Sequence, residues 1–207
     1  MLLEDLAKLE VGYLFRSRPP YVEKGGRSLV QIMDVSAERG INWRDVSQIR
    51  IDSIRPQLCL KAGDVLVKAK GENLTAAEVI DPPDSAIASA QLIVIRIKNQ
   101  KKLLPGYLAW YINQPPAQKI LNQLSAGSSI RHLSRISLSV LPIPIPRMEI
   151  QQKIVRLMEL QRKENELVAL IQQKRKKLME RLLLSFLSTN EVEIEKIRER
   201  NPNDCRP

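Results

Sequence analysis

The pattern of hydrophobic and polar positions along the 207-residue chain changes at a run of alternating prolines in residues 141–146. Alternating prolines force an extended backbone and cannot lie inside a helix, so this run predicts a stiff connection between two kinds of structure. Residues 1–146 combine short apolar runs with frequent turn residues, which predicts a mixed α+β domain with many short strands. Residues 147–188 are predicted to form one long helix, and residues 189–207 a polar tail.

The predicted helix carries a one-sided apolar stripe. From Ile150 to Ser185 the chain contains neither proline nor glycine, and its apolar residues follow a heptad repeat. An apolar stripe adds little stability to a helix unless another surface packs against it. We therefore expect a protruding helix that pairs as a coiled coil with a second long helix. The alternative is a helix that folds back on its own domain. Three polar seam residues, Gln161, Glu164 and Arg175, weaken the seam and can set its register and orientation. The predicted interface residues are Ile150, Ile154, Leu157, Val168, Ile171, Leu178 and Leu182.

Two predicted strands direct basic side chains to one face. In residues 64–70, after a turn, alternation with a period of two separates the apolar side chains from two lysines. In residues 92–98 it separates three isoleucines from an arginine and a lysine. These basic strand residues are Lys68, Lys70, Arg96 and Lys98.

The charge of the chain favours a polyanionic partner. The chain holds 33 Lys and Arg against 23 Asp and Glu, a formal net charge of +10, and nucleic acid is the commonest partner of such a protein. Residues 85–148 contain no acid at all, and a surface that faces phosphates needs such a segment because nearby acids would oppose binding. A solvated basic face without a partner is the alternative. The bases of this segment are Arg96, Lys98, Lys101, Lys102, Lys119, Arg131, Arg135 and Arg147.

The sequence lacks the motifs of several enzyme classes. His132 is the only histidine, no serine lies in a G-x-S-x-G elbow, and no glycine precedes a lysine as a P-loop requires. None of the fifteen lysines has an acid two residues earlier, a spacing typical of metal-dependent nucleases. Cys59 and Cys205 lie far apart, which argues against a disulfide framework or a zinc cluster. We therefore predict a chain with no catalytic residues, no cofactor and no metal.

Membrane and secretory classes are also disfavoured. No apolar run approaches the roughly 18 residues that a membrane span requires. The first ten residues carry acids where a secretory signal carries bases. The sequence predicts a cytoplasmic protein with no membrane partner.

Seven short fragments form a series whose order and spacing are more specific than any member alone. They are Gly12–Phe15, Gln31–Val35, Leu60–Leu66 followed by Gly71, Tyr107–Asn113, Ala126–Ile130, Leu138–Pro146 and Met148–Ile154. In this series the chain resembles the DNA-specificity (S) subunits of type I restriction-modification systems. Members of that family usually carry two units, each with a target-recognition domain and a spacer helix, whereas this sequence contains one unit and no internal repeat.

The resemblance implies a half-length, non-catalytic specificity subunit. Its implied partners are double-stranded DNA, read as one half-site per chain, DNA methyltransferase (modification) subunits, a restriction/translocase subunit, and a second copy paired through the C-terminal helix. The competing interpretation is a homodimeric interaction or regulatory half-subunit that binds methyltransferase partners without productive DNA reading. A third interpretation is that the chain is an enzyme. The resemblance makes three groups of residues candidate DNA contacts. They are the basic strand residues Lys68, Lys70, Arg96 and Lys98, the bases Lys101, Lys102 and Arg135 of the acid-free segment, and Ser128, Ser129, Arg131 and His132 in the loop from Gly127 to His132.

Overall fold

A four-stranded antiparallel sheet lies at the centre of the domain. The computed structural model describes residues 1–51, 54–71, 73–125 and 132–200, with side chains up to residue 186. In spatial order the strands of this central sheet are β1 (Ala7–Val11), β10 (Leu92–Ile97), β7 (Asp64–Lys68) and β8 (Ala76–Glu78). The register sets Leu92 opposite Lys68 and Arg96 opposite Asp64. The side chains of each pair therefore lie on the same face of the sheet.

A smaller second sheet lies beside the central one. Its strands, in spatial order, are β2 (Tyr21–Val22), β6 (Gln48–Ile49), β3 (Arg27–Val30) and β9 (Ile87–Ala88), and a separate hairpin joins β4 (Val35–Ser36) to β5 (Gly40–Ile41). The chain crosses from β1 to this sheet at Gly12. A Cβ atom there would lie 2.2 Å from the Ser89 carbonyl oxygen, so this close approach requires glycine.

Both faces of the central sheet are buried. On one face, Val65, Val67 and Ile95 pack under the short helices α1 (Leu3–Leu6), α2 (Pro105–Ile112), α3 (Pro115–Leu124) and α4 (Arg135–Ser139). On the other face, Leu66 and Leu92 belong to a second apolar cluster. The alternation that the sequence predicted is therefore present, but the face that carries the basic residues is mostly a second core layer.

The long helix α5 (Met148–Arg200) begins directly after the proline run and contains 53 residues. This finding confirms the predicted architecture of an α+β domain followed by a long C-terminal helix. The helix continues through residues 189–200, which the sequence analysis assigned to the tail, because no proline or glycine interrupts it before Pro202. Residues 1–159 form one unit, and the helix from Leu160 onward belongs to a second unit. The predicted domain boundary at residue 146 stays a prediction.

Candidate nucleic-acid interface

The residues just after β7 lie beside the residues at the end of the predicted contact loop. Lys70 and His132 form an antiparallel bridge, and the Leu133 amide donates a 2.8 Å hydrogen bond to the Ala69 carbonyl oxygen. Both Lys70 and His132 are exposed. Two predicted DNA-contact candidates that are far apart in sequence thus become neighbours. The other loop candidates, Ser128, Ser129 and Arg131, lie outside the described residues.

Lys68 is the last residue of β7, two residues before Lys70, and it is half-buried. Its cross-strand neighbour Leu92 is fully buried, so the aliphatic stem of Lys68 lies against apolar surroundings. Burial lowers the pKa of the Lys68 ammonium below its usual value, because loss of water disfavours the charged form. A nearby phosphate would oppose this effect by stabilising the ammonium.

Arg96 is engaged inside the domain. Its Nε and Nη2 donate to the two carboxylate oxygens of Asp64, at 2.8 and 2.7 Å, and the Asp64 side chain is only 3% exposed. Nη2 and Nη1 also donate to the carbonyl oxygens of Cys59 and Gln57. The hydrogen bond to Asp64 raises the pKa of Arg96 above its usual value. Because all three nitrogens bond within the domain, this geometry gives no support to Arg96 as a DNA contact.

A second group of predicted candidates lies at the opposite end of β10. Lys98 donates from Nζ to the Glu4 carbonyl oxygen at 2.7 Å and so ties this end of the strand to α1. Lys101 and Lys102 are exposed in the turn that leads to α2. The six residues of β10 span about 17 Å, at roughly 3.4 Å per residue. The predicted basic residues therefore divide between two ends of the sheet instead of lining one continuous path.

Arg135 lies apart from both groups, in the first turn of α4. Its side chain is exposed, and among the described residues it makes only a long 3.5 Å hydrogen bond, from Nη1 to the Leu9 carbonyl oxygen. The preceding Ser134 caps the helix, because its hydroxyl accepts a hydrogen bond from the Ser137 amide at 2.9 Å. The cap holds Arg135 at the helix start, where its guanidinium remains accessible to a phosphate.

The second sheet brings together basic residues that the sequence analysis missed. Arg27 in β3 is directly opposite Ile49 in β6, and the next residue, Arg50, donates its amide to the Pro20 carbonyl oxygen at 3.0 Å. Arg18 and Arg50 are exposed, and Arg27 is half-buried. No ion pair joins these three arginines to any residue that the structure describes. Their proximity depends on strand pairing, which the spacing of charges along the chain cannot reveal.

Backbone hydrogen bonds connect the second sheet to the end of β7 that carries Lys70. The Ala69 amide donates to the Gln91 carbonyl oxygen, and the Ala90 amide donates to the Tyr13 carbonyl oxygen, each at 2.9 Å. Residues 89–91 thus lie between β7 and the chain that leads into β2. The exposed Lys70 and the second sheet therefore lie at the same end of the central sheet.

Gln151 fastens the first turns of α5 to the domain and is completely buried. Its Oε1 accepts a hydrogen bond from the Leu104 amide at 2.9 Å, and its Nε2 donates to the Lys102 and Pro146 carbonyl oxygens at 3.0 Å each. Sequence reasoning missed this role because a glutamine near a helix start usually faces solvent. The signal available was its helical spacing, because Ile154 and Val155, three and four residues later, share its face and pack against the domain core.

Six of the seven predicted interface residues are exposed on α5. Ile154 differs, because it is half-buried against the domain core beside Val155, which also packs against Gly106 of α2. Ile154 therefore packs within its own domain, and its place in the seam stays a prediction. The exposed predicted residues are Ile150, Leu157, Val168, Ile171, Leu178 and Leu182, and large apolar residues exposed beside them include Leu160, Leu167, Met179 and Phe186.

Two negative findings apply to the described part of the chain. It contains no group of three or more His, Cys, Asp and Glu side chains arranged to hold a metal ion. Its helices also lack any stretch long and apolar enough to cross a bilayer.

Solved structures with a similar fold come from type I restriction-modification systems. A chain from a structure of complex assembly and conformational transition of the type I R-M system matches with a TM-score of 0.60 and 17% identity, over 88% of this chain and 42% of that chain. The S subunit from M. genitalium matches with a TM-score of 0.59 and 14% identity, over 85% and 42% respectively. At these identities the likeness establishes the fold. This chain covers less than half the length of either relative.

A family comparison extends this finding from fold to membership. No curated protein sequence matches the chain. The family model described as the type I restriction modification DNA specificity domain matches residues 54–189, which is well over half of the chain. That range includes β7, β10 and most of α5. The chain therefore belongs to the type I restriction-modification DNA-specificity family.

Proposed function

We propose that this chain recognises double-stranded DNA and reads one half-site of a bipartite target. The observation that carries the proposal is the family match over residues 54–189. The net charge of +10 supports it, because each neutralised phosphate releases counterions and favours binding. Specificity then depends on side chains that reach base edges, while the lysines and arginines hold the domain on the backbone.

The DNA-facing surface of this proposal is the end of the central sheet that carries Lys70 and His132, continued onto the second sheet. Lys70 is exposed and has no ion pair with any residue that the structure describes. Arg18 and Arg50 extend the positive charge beyond the 85–148 segment. The loop before His132 adds Ser128, Ser129 and Arg131 as predicted contacts. The basic residues at the other end, Lys101 and Lys102, would then contact DNA only if it follows the domain around that edge.

The partners in this proposal are a second copy of the chain and the catalytic subunits of a restriction-modification system. The exposed apolar residues of α5 favour a second copy, because an apolar stripe gains stability only when a partner covers it. Methylation and cleavage are assigned to DNA methyltransferase and restriction/translocase subunits, so this chain needs no cofactor of its own.

Selection of bound duplexes from a random pool tests the proposed function. A two-fold symmetric dimer presents identical readers, so the enriched sequences are expected to contain an inverted repeat split by an unselected spacer. The selection is performed with the chain alone and with its cognate methyltransferase. If neither preparation enriches a sequence or binds any duplex at low ionic strength, DNA reading is ruled out. A regulatory half-subunit would then be the better explanation.

Lys70→Ala tests the proposed DNA-facing surface. Loss of one phosphate contact should weaken binding to all duplexes alike and reduce the slope of log K against log salt by about 1. The matched control is Lys8→Ala, because the Lys8 ammonium is already paired with Glu10 at 2.6 Å. Affinity is measured by fluorescence anisotropy across a salt series. Equal slopes for the wild type and Lys70→Ala would remove this end of the sheet from the interface.

A further inference from the structure

We propose that two copies of α5 pair antiparallel in one register, in which Glu164 of each copy forms an ion pair with Arg175 of the partner subunit. The inference rests on the homodimer of the proposed function and specifies its interface. It starts from the two charged residues that the heptad repeat places in the seam, Glu164 at position d and Arg175 at position a.

Neither charge has a partner on its own helix. Side chains three and four residues apart are the neighbours that can pair along a helix, and all of them are uncharged here. For Glu164 these neighbours are Leu160, Gln161, Leu167 and Val168, and for Arg175 they are Ile171, Gln172, Leu178 and Met179. Other charges of α5 do pair locally, as in Arg162–Glu166 at 3.8 Å and Arg156–Glu159 at 3.3 Å. A seam that closed over Glu164 and Arg175 without a partner for each would have to desolvate both charges.

The antiparallel arrangement supplies these partners in one register. In an antiparallel pair related by a two-fold axis, each a position faces a d position of the other chain. When Glu164 faces the partner's Arg175, the axis passes beside Ala169 and Leu170, at the midpoint of the two charged residues. The same register sets Val168 opposite the partner's Ile171, Gln161 opposite the partner's Leu178, and Leu157 opposite the partner's Leu182. Apolar layers therefore occupy the centre, and an ion pair flanks them on each side.

The competing arrangements leave the charges without partners. A shift of one heptad in one direction sets Glu164 against the partner's Val168 and Arg175 against the partner's Leu157. The opposite shift sets them against the partner's Leu182 and the partner's Ile171. A parallel, in-register pair places each charge against its own copy, which is repulsive. Charge complementarity thus favours the proposed register over the two shifted antiparallel registers and the parallel pair.

The flanking e and g positions agree with the same register. On one side of the seam Met158 lies near the partner's Met179, and Asn165 lies near the partner's Gln172. The first pair brings together two apolar side chains and the second two side-chain amides. On the other side Leu167 lies near the partner's Lys174, whose aliphatic stem can cover it while the ammonium stays in water. None of these flanking pairs brings two like charges together.

Charge reversal in the full-length chain tests the register by sedimentation equilibrium. Glu164→Arg creates two repulsive Arg–Arg contacts and is expected to weaken the dimer about tenfold or more. The double variant Glu164→Arg/Arg175→Glu restores both ion pairs with reversed polarity and should regain the wild-type dissociation constant. Glu180→Arg makes the same charge change at an outward-facing heptad position and should leave the dimer unchanged. Ile171→Glu, which puts a carboxylate in the central apolar layers, provides the disrupted reference.

The outcomes separate this inference from the proposal on which it rests. A wild-type chain that is monomeric at micromolar concentration overturns the homodimer and the register together. A wild-type dimer that Glu164→Arg does not weaken, or that the double variant does not restore, overturns the register alone. Disulfide cross-linking provides a second readout if the charge variants lose helicity. In a Cys59→Ser/Cys205→Ser background, Gln161→Cys chains should cross-link with Leu178→Cys chains. Efficient cross-linking between two Gln161→Cys chains would instead indicate a parallel pair, because the antiparallel register holds these two residues about 25 Å apart along the axis.

Discussion

Replacing Arg96 with methionine is expected to lower the free energy of unfolding by about 3 kcal/mol. The change keeps most of the aliphatic stem but leaves the Asp64 carboxylate, which is 3% exposed, without its ion pair. Removal of one partner from a buried pair typically costs about 3–5 kcal/mol, and we take the lower value because 27% of the Arg96 side chain is exposed. Urea denaturation followed by circular dichroism measures the effect.

Two further variants show whether the uncompensated Asp64 charge causes this loss. Asp64→Leu/Arg96→Met removes both charges and should recover most of the lost stability, because an apolar pair carries no desolvation penalty. Lys101→Met deletes an exposed cation of the same strand end and should change stability by less than about 0.5 kcal/mol. A loss of under 1 kcal/mol for Arg96→Met would contradict the structural role of Arg96 and would restore it as a candidate DNA contact.

Gln151→Leu is expected to destabilise the domain by about 2–3 kcal/mol. Leucine fills a similar volume but cannot bond to the Leu104 amide or to the carbonyl oxygens of Lys102 and Pro146. Each buried backbone group left unpaired costs about 1–3 kcal/mol, and partial access of water to the carbonyl oxygens reduces the sum. Thermal and urea unfolding of the full chain measure the change.

Gln152→Leu is the matched control for Gln151→Leu, because the neighbouring glutamine is exposed in the same helical turn. Its effect on stability should stay within about 0.5 kcal/mol. Similar losses for the two variants would show that leucine in this turn is harmful in itself. The hydrogen bonds of Gln151 would then not be what fastens the start of α5.

The long helix and the α+β domain were predictable because both depend on local patterns. The proline run marks where α5 begins, and the lack of proline and glycine from Ile150 to Ser185 lets the helix continue. The packing of Ile154 against the domain core was not predictable, since a heptad repeat does not reveal which turns of a helix contact its own domain. Gln151 was missed for the same reason, because its partners Lys102 and Leu104 lie 47–49 residues earlier in the chain.

The candidate interface was predictable in composition but not in arrangement. The alternation of Lys68 and Arg96 was read correctly, yet only tertiary structure shows that their face packs against a second apolar layer around Leu66. The ion pair of Arg96 within the domain was not predictable, because its partner Asp64 is 32 residues away. The neighbourhood of Lys70 and His132 likewise depends on a backbone bridge between distant segments.

The burial of β7 and β10 on both faces has a consequence for how this domain changes in evolution. A substitution on either strand disturbs one of two packed layers, and a close-packed layer resists changes in side-chain volume. Loops that leave the ends of these strands meet no such constraint and can accept new lengths and residues at low cost in stability. The central sheet therefore provides a fixed framework, and the connecting loops are the part of the domain that can change at low cost in stability.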